Sequence, residues 1–185
     1  MNGTICDSEC YSEINILKRK IKYLEQEVNT YKYDYLTGLL TRIDFEKKFK
    51  EYVEDHNRFN KPFTLSIVDV NDLHNININS GYDIGDKRIV EVSLFLQETF
   101  VHSDIYRIGG DEFAILCRST SADKTLENIS SANLYKHISI GSVRTKDLEI
   151  VDISNMFKEC DDSLLKDKKM KKVGRLHRNE ERLEK

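Results

Sequence analysis

The side chains best placed to do chemistry are three acids. Asp69 lies near the end of the apolar run Phe63-Thr-Leu-Ser-Ile-Val-Asp-Val70, and Asp111 and Glu112 follow Gly109-Gly110 between two further runs of strand character. Carboxylates that converge from the end of a central strand and from an adjacent hairpin suit magnesium or manganese rather than zinc, because all the donors are hard oxygens. Two such ions leave most of their ligands to water and substrate phosphates. They activate an attacking hydroxyl and stabilise the leaving oxygens of in-line phosphoryl or nucleotidyl transfer, without a catalytic histidine or serine. The same spacing also fits a plainer role, in which Asp69 caps a strand and Asp111-Glu112 is ordinary hairpin surface.

Secondary structure has to position these acids. The β-rich run over 63–70 predicts a buried strand, and Asp104-Ile-Tyr-Arg-Ile108 and Glu112–Cys117 predict two more. Gly109-Gly110 between them is expected to supply the positive φ of a tight hairpin. Upstream, a break at Gly38 precedes a helix predicted over 43–60, with Phe45, Phe49, Tyr52 and Val53 on one face. Asn71 to Asp83 suits a short helix and loop, and Ile89, Val92, Leu96 and Phe100 share a face of a helix predicted over 84–100. Gly81 and Gly85 bracket the turn between them. Residues 119–135 carry no strong period, 136–144 predicts a strand, and 150–172 predicts a helix that ends near Gly174.

Ahead of this core, Ile14, Leu17, Ile21, Leu24, Val28 and Tyr31 recur at alternating spacings of three and four, which is a heptad seam. Ile and Val at the a positions with Leu at d favour a parallel pair, in which Glu13 faces Lys18, Lys20 faces Glu25 and Glu27 faces Lys32. A homodimer through residues 13–34 follows; the alternative is a helix that packs this stripe on its own domain.

Composition narrows the function. One 185-residue chain holds a single domain with a short appendage, and a 33% share of charged residues with 39% apolar describes a soluble globular protein. A net charge of −3 argues against a nucleic-acid partner, although the basic stretch 166–178 leaves room for a local phosphate site. No apolar run is long enough to span a bilayer and the polar start lacks signal-peptide regions, so no membrane partner and a cytoplasmic location are expected. Cys6 and Cys10 have no nearby histidine to complete a zinc set.

Arg107-Ile-Gly-Gly-Asp-Glu-Phe113 resembles the signature hairpin of GGDEF-domain diguanylate cyclases, with the five-letter core intact. Two more segments match in order. Asp34-Tyr-Leu-Thr-Gly-Leu-Leu-Thr-Arg42 resembles the family's Asp-x-Leu-Thr-Gly-Leu-x-Asn-Arg motif, and Asp69–Asp86 resembles Asp-x-Asp-x-Phe-Lys-x-x-Asn-x-x-x-Gly-His-x-x-Gly-Asp.

The resemblance implies an α+β fold, a ferredoxin-like palm whose central antiparallel sheet is flanked by helices. The implied plan is a flexible N-terminus over 1–12, a coiled-coil helix over 13–34, the GGDEF domain over 35–178 and a charged tail over 179–185. The activity implied is condensation of two GTP molecules into cyclic di-GMP and two pyrophosphates across a homodimer. An upstream regulatory protein is a further expected partner.

By the same resemblance Asp69, Asp111 and Glu112 are the catalytic acids. With the Val70 carbonyl they would hold two Mg2+ or Mn2+ per active site. Asn77 and Asp86 fall at the guanine, where a carboxylate accepts from N1–H and the amino group, a donor pair that adenine lacks. His74 and Tyr82 lie in the same substrate-binding stretch, and Lys171 and Arg175 have the spacing of the family's phosphate-binding Lys and Arg.

The chain departs from the pattern at several places. His74 stands where the family has Lys, and a neutral imidazole supplies no charge to a triphosphate, which predicts a weak activity that rises towards acid. Tyr82 replaces His, Asn71 replaces the second Asp, and Ile78 replaces the Asp that follows the guanine-binding Asn. Phe100-Val-His-Ser-Asp104 lacks the family's Arg-x-x-Asp, so product inhibition through that site is not expected. The stretch 118–136 is also shorter than the family's. Two alternatives stay open: a degenerate domain that binds GTP or a protein without catalysis, and an enzyme that makes a linear or mixed dinucleotide.

Overall fold

The computed structural model describes residues 6–118, 129 and 133–183, with the side chains at 6–9, 26, 29, 30 and 173–183 excepted. Its helices are α1 (Cys6–Lys32), α2 (Arg42–Phe59), α3 (Leu73–Ser80), α4 (Tyr82–Thr99) and α5 (Ile153–Leu183). The strands are β1 (Leu40–Thr41), β2 (Thr64–Val70), β3 (Asp104–Arg107), β4 (Glu112–Cys117) and β5 (Ile138–Arg144). They form one sheet in the order β1-β3-β4-β2-β5, in which only the β1–β3 pair is parallel. This is the α+β architecture implied by the motifs.

Alternation along β2 divides the core. Leu65 and Ile67 pack with Phe45, Phe49 and Tyr52 of α2 and with Met156, Cys160 and Leu164 of α5. Val68 and Val70 pack on the opposite face with Ile89, Val92 and Leu96 of α4. Asp69 shares its parity with Leu65 and Ile67 and so belongs to the α5 face.

At Gly141 helix α5 meets the sheet backbone to backbone. A Cβ on Gly141 of β5 would come within 2.2 Å of the Cys160 carbonyl and 2.4 Å of the Leu164 amide nitrogen. The Cys160 thiol donates to the Gly141 carbonyl at 3.2 Å, and burial pushes its pKa up to about 12, with nearby Asp161 adding to the rise.

Four features differ from the sequence-based expectation. Gly109 and Gly110 do not use positive φ; among the described glycines only Gly38 and Gly81 do. Helix α1 begins at Cys6, seven residues earlier than its heptads, and β1 is too short to show a pattern. A 3-10 turn over Asn133–His137 replaces the start of the strand predicted from 136. Helix α5 runs past Gly174, since an interior glycine costs a helix only about 1 kcal/mol and does not end it.

The heptad stripe of α1 does not pack on the chain's own domain. Ile14, Leu17, Ile21, Leu24, Val28 and Tyr31 are all exposed, from 41% at Ile14 to 67% at Tyr31. No helix among the described residues is long and apolar enough to cross a membrane.

Candidate active site

Asp69 and Glu112 lie side by side at the C-terminal end of β2, with the Asp111 backbone next to them. Asp69 is in register with Glu112 of β4 on one side and with Ser139 of β5 on the other. Glu112 has the parity of Ala114 and Leu116, which pack with α2 and α5, so the Asp69 and Glu112 side chains emerge on the same face. The Val70 amide donates to the Asp111 carbonyl at 2.9 Å and fixes Asp111 beside the strand end.

The hairpin explains its own glycine. Ile108 and Gly109 amides both donate to the Glu112 carbonyl, at 2.9 and 3.2 Å. A Cβ on Gly109 would sit 2.8 Å from Glu112 Oε2, so the glycine leaves room for the carboxylate rather than supplying an unusual backbone angle.

Two lysines one helical turn apart on α5 reach this end of the sheet. Lys168 Nζ donates to Asp69 Oδ2 at 2.6 Å, a contact not anticipated from the sequence. Lys171 Nζ donates to the Ile138 carbonyl at 2.8 Å and to Asp167 Oδ2 at 2.7 Å, and it stands over the Tyr135 ring at 3.3 Å from the centroid. Asp167 is itself buried, and accepts from the Ile140 amide at 2.9 Å and the Tyr135 hydroxyl at 3.1 Å. Burial, and then the Asp167 charge, push the Tyr135 phenol up to about 12. Lys171 is therefore committed to β5, and among the described residues Lys168 is the cation that meets Asp69. Arg175 lies within α5, but its side chain is outside the described residues.

The buried spacing Cys160, Leu164, Asp167 was available as a signal, because it places Asp167 on the packed face and Lys171 one turn beyond it. Nothing in the spacing alone marks Lys168.

Asn77 and Asp86 lie on the helix pair that follows β2. A Cβ on Gly85 would fall 1.9 Å from Asn77 Oδ1, so Gly85 makes the space that the amide occupies. Asn77 Oδ1 is buried without a hydrogen-bond partner among the described residues. His74 and Tyr82 are exposed, Tyr82 at 77%. Asn71 turns away towards β5: its Oδ1 accepts from the Ser139 hydroxyl and its backbone N–H donates to the His137 carbonyl, both at 2.8 Å.

Among the described residues no three His, Cys, Asp or Glu side chains are gathered into a metal-holding group. The acids are neighbours on the sheet without forming a closed cage. An oxygen-only donor set of this kind still fits a hard divalent ion that keeps several waters or phosphate oxygens. The Lys168 ammonium against Asp69 is a stand-in cation at the same carboxylate.

Comparison with known proteins identifies the family and the fold. The family model described as "Diguanylate cyclase, GGDEF domain" matches residues 31–173. The probable diguanylate cyclase DgcC of Escherichia coli K12 is 33% identical over 112 residues, which is 60% of this chain and 29% of that protein. The match thus spans less than a third of that relative. The coiled coil and GGDEF domain of DgcB from Caulobacter crescentus, solved in complex with c-di-GMP, has a TM-score of 0.78 at 19% identity over 90% of this chain and 95% of that one. Diguanylate cyclase SiaD from Pseudomonas aeruginosa, solved with its activator SiaC, has a TM-score of 0.66 at 19% identity over 88% and 69% of the two chains. At such identities the structural likeness establishes a shared fold.

Proposed function

The chain belongs to the GGDEF domain family of diguanylate cyclases, and from that membership we propose that it condenses two GTP molecules into cyclic di-GMP with release of two pyrophosphates. The observation that carries the proposal is the register of Asp69 opposite Glu112 at the sheet end, with Asp111 beside them. Like charges directly across a strand pair are destabilising, and a cation between them removes that cost. Asp69, Asp111, Glu112 and the Val70 carbonyl would hold Mg2+ or Mn2+, which would supply Lewis acidity towards the attacking hydroxyl and the phosphate oxygens.

The remaining roles fall to the chain's own groups. Asp86 accepts from guanine N1–H and the amino group, and Asn77 completes the edge, which selects GTP over ATP. His74 and Tyr82 flank the nucleotide from the exposed helix pair, Arg175 contributes positive charge for the phosphates, and Lys171 does so only by giving up its Ile138 and Asp167 partners. Each GTP needs a second one facing it, so two copies of the chain must meet. The exposed stripe of α1 supplies that proximity as a parallel coiled coil, raising the effective concentration of the partner half-site.

One observation favours a degenerate, GTP-binding or partner-binding domain instead: the Asp69 carboxylate is already engaged by Lys168. Incubation with GTP and Mg2+ or Mn2+, followed by mass analysis of products, separates the two. Cyclic di-GMP from the wild type and none from an Asp111→Ala, Glu112→Ala double variant supports the cyclase. Absence of any product from a protein shown to be dimeric supports the degenerate domain, and a linear or mixed dinucleotide is recognised by its mass.

A further inference from the structure

Lys168 and Lys171 belong to the same basic run, yet the fold gives them opposite circumstances. Lys171 has a side chain only 15% exposed and is held by a carbonyl, a carboxylate and a ring. Lys168 has a side chain 38% exposed and is held among the described residues by Asp69, whose own side chain is 13% exposed. The ammonium thus has an open route to water along its flexible stem, whereas the carboxylate it covers stands on a short stem in a strand paired on both sides.

From this asymmetry we infer that Lys168 is a built-in counter-ion for Asp69, which a divalent ion has to displace before it engages the strand-end carboxylate. The inference rests on the metal-dependent cyclase function proposed above and adds a device that tunes its metal requirement. With Lys168 in place, the Asp69–Glu112 pair is partly neutralised and the empty site is tolerated. A divalent ion that takes Asp69 Oδ2 must then break a charge-assisted hydrogen bond of 2.6 Å, and one that takes Oδ1 meets the ammonium's repulsion. Lys168 is accordingly a positioning residue that sets metal affinity through Asp69.

The test is calorimetric titration of the full chain with Mn2+ alone, without nucleotide, for the wild type, K168Q, K168M and K168R, with circular dichroism as the check on folding. Loss of the ammonium is expected to tighten Mn2+ binding roughly tenfold in both neutral variants, a figure discounted for the solvent exposure of the lysine. K168R, which keeps the charge, is expected to stay within about twofold of the wild type by the same electrostatics. Equal affinity in the wild type and the two neutral variants overturns the counter-ion role while leaving the metal site intact. Equal tightening in K168R also overturns it, because charge is then not the cause. Failure of all four proteins to bind Mn2+ overturns this inference, while the proposed function is judged separately by product formation from GTP.

Discussion

Arg107 holds Asp34 with a single terminal nitrogen shared between both carboxylate oxygens, at 3.0 and 3.1 Å, while its other terminal nitrogen donates to the Gly110 carbonyl at 2.7 Å. The end of the α1 segment and the acid-bearing hairpin are thereby tied through one guanidinium. Asp34 also accepts from the Thr37 amide and hydroxyl at 2.9 and 2.7 Å, which folds the turn at Gly38 around it. Arg107→Ala leaves a largely buried carboxylate and a hairpin carbonyl without this donor. A loss of about 2–3 kcal/mol is expected, read as a lower urea midpoint at unchanged slope. An unaltered midpoint would show that the tie is not structural.

The same carboxylate predicts an acid-side dependence. Burial raises the Asp34 pKa, but the Thr37 and Arg107 hydrogen bonds outweigh it and leave the group below its ordinary value. A depressed folded-state pKa gives stabilisation that is complete above the unfolded value, about 4, and is lost as pH falls through the folded one. The stability difference between wild type and Asp34→Asn is expected to be constant near neutrality and to shrink between about pH 5 and pH 2. Denaturant titrations at several pH values measure it, and a constant difference down to acid would refute the assignment.

Two glycines separate stability from site geometry. Gly109→Ala brings a Cβ within 2.8 Å of Glu112 Oε2, the far end of a flexible side chain, at a position without positive φ. The carboxylate is expected to shift by a few tenths of an ångström or more, so turnover falls at least roughly tenfold while the melting temperature moves by only a few degrees.

Gly85→Ala meets Asn77 Oδ1 at 1.9 Å and expels the amide from its space. The expected signature is a KM for GTP raised by roughly tenfold, from loss of a nucleotide-binding hydrogen bond, with a smaller change in turnover. Steady-state kinetics on both glycine variants distinguishes the two roles; a turnover defect shared equally by both would not fit.

Charges placed in the α1 seam test the dimer. A Leu17→Glu, Leu24→Glu double variant is expected to sediment as a monomer and to lose product formation at protein concentrations where the wild type is active. A variant that remains dimeric would assign the association to another surface.

The acids were legible because β2 is an apolar run of strand length whose alternation places Asp69 with Leu65 and Ile67, and because the hairpin sequence fixes Glu112 opposite it. The helix faces of α2 and α4 were legible for the same reason, since Phe45, Phe49 and Tyr52, and Ile89, Val92 and Leu96, repeat at helical spacing. Lys168 was not. Five lysines stand among residues 166–172, and their solvent-facing chemistry is the same. Only the helix's rotation on the sheet decides which one meets Asp69. The two-residue β1 carries no period, and the role of Gly109 depends on where the Glu112 carboxylate lies in space rather than on a local backbone angle.

That rotation has a single point of reference. Because Gly141 lets the backbone of α5 rest on the backbone of β5, the height of the helix above the strand ends is gauged by main-chain contact and not by the length of any side chain. Leu164, at the contact, lies one turn before Lys168, so the glycine acts as a datum from which the reach of the ammonium is measured. A methyl group at position 141 would work as a shim, lifting α5 by about an ångström and drawing the cation away from the acid with every residue of the site still in place.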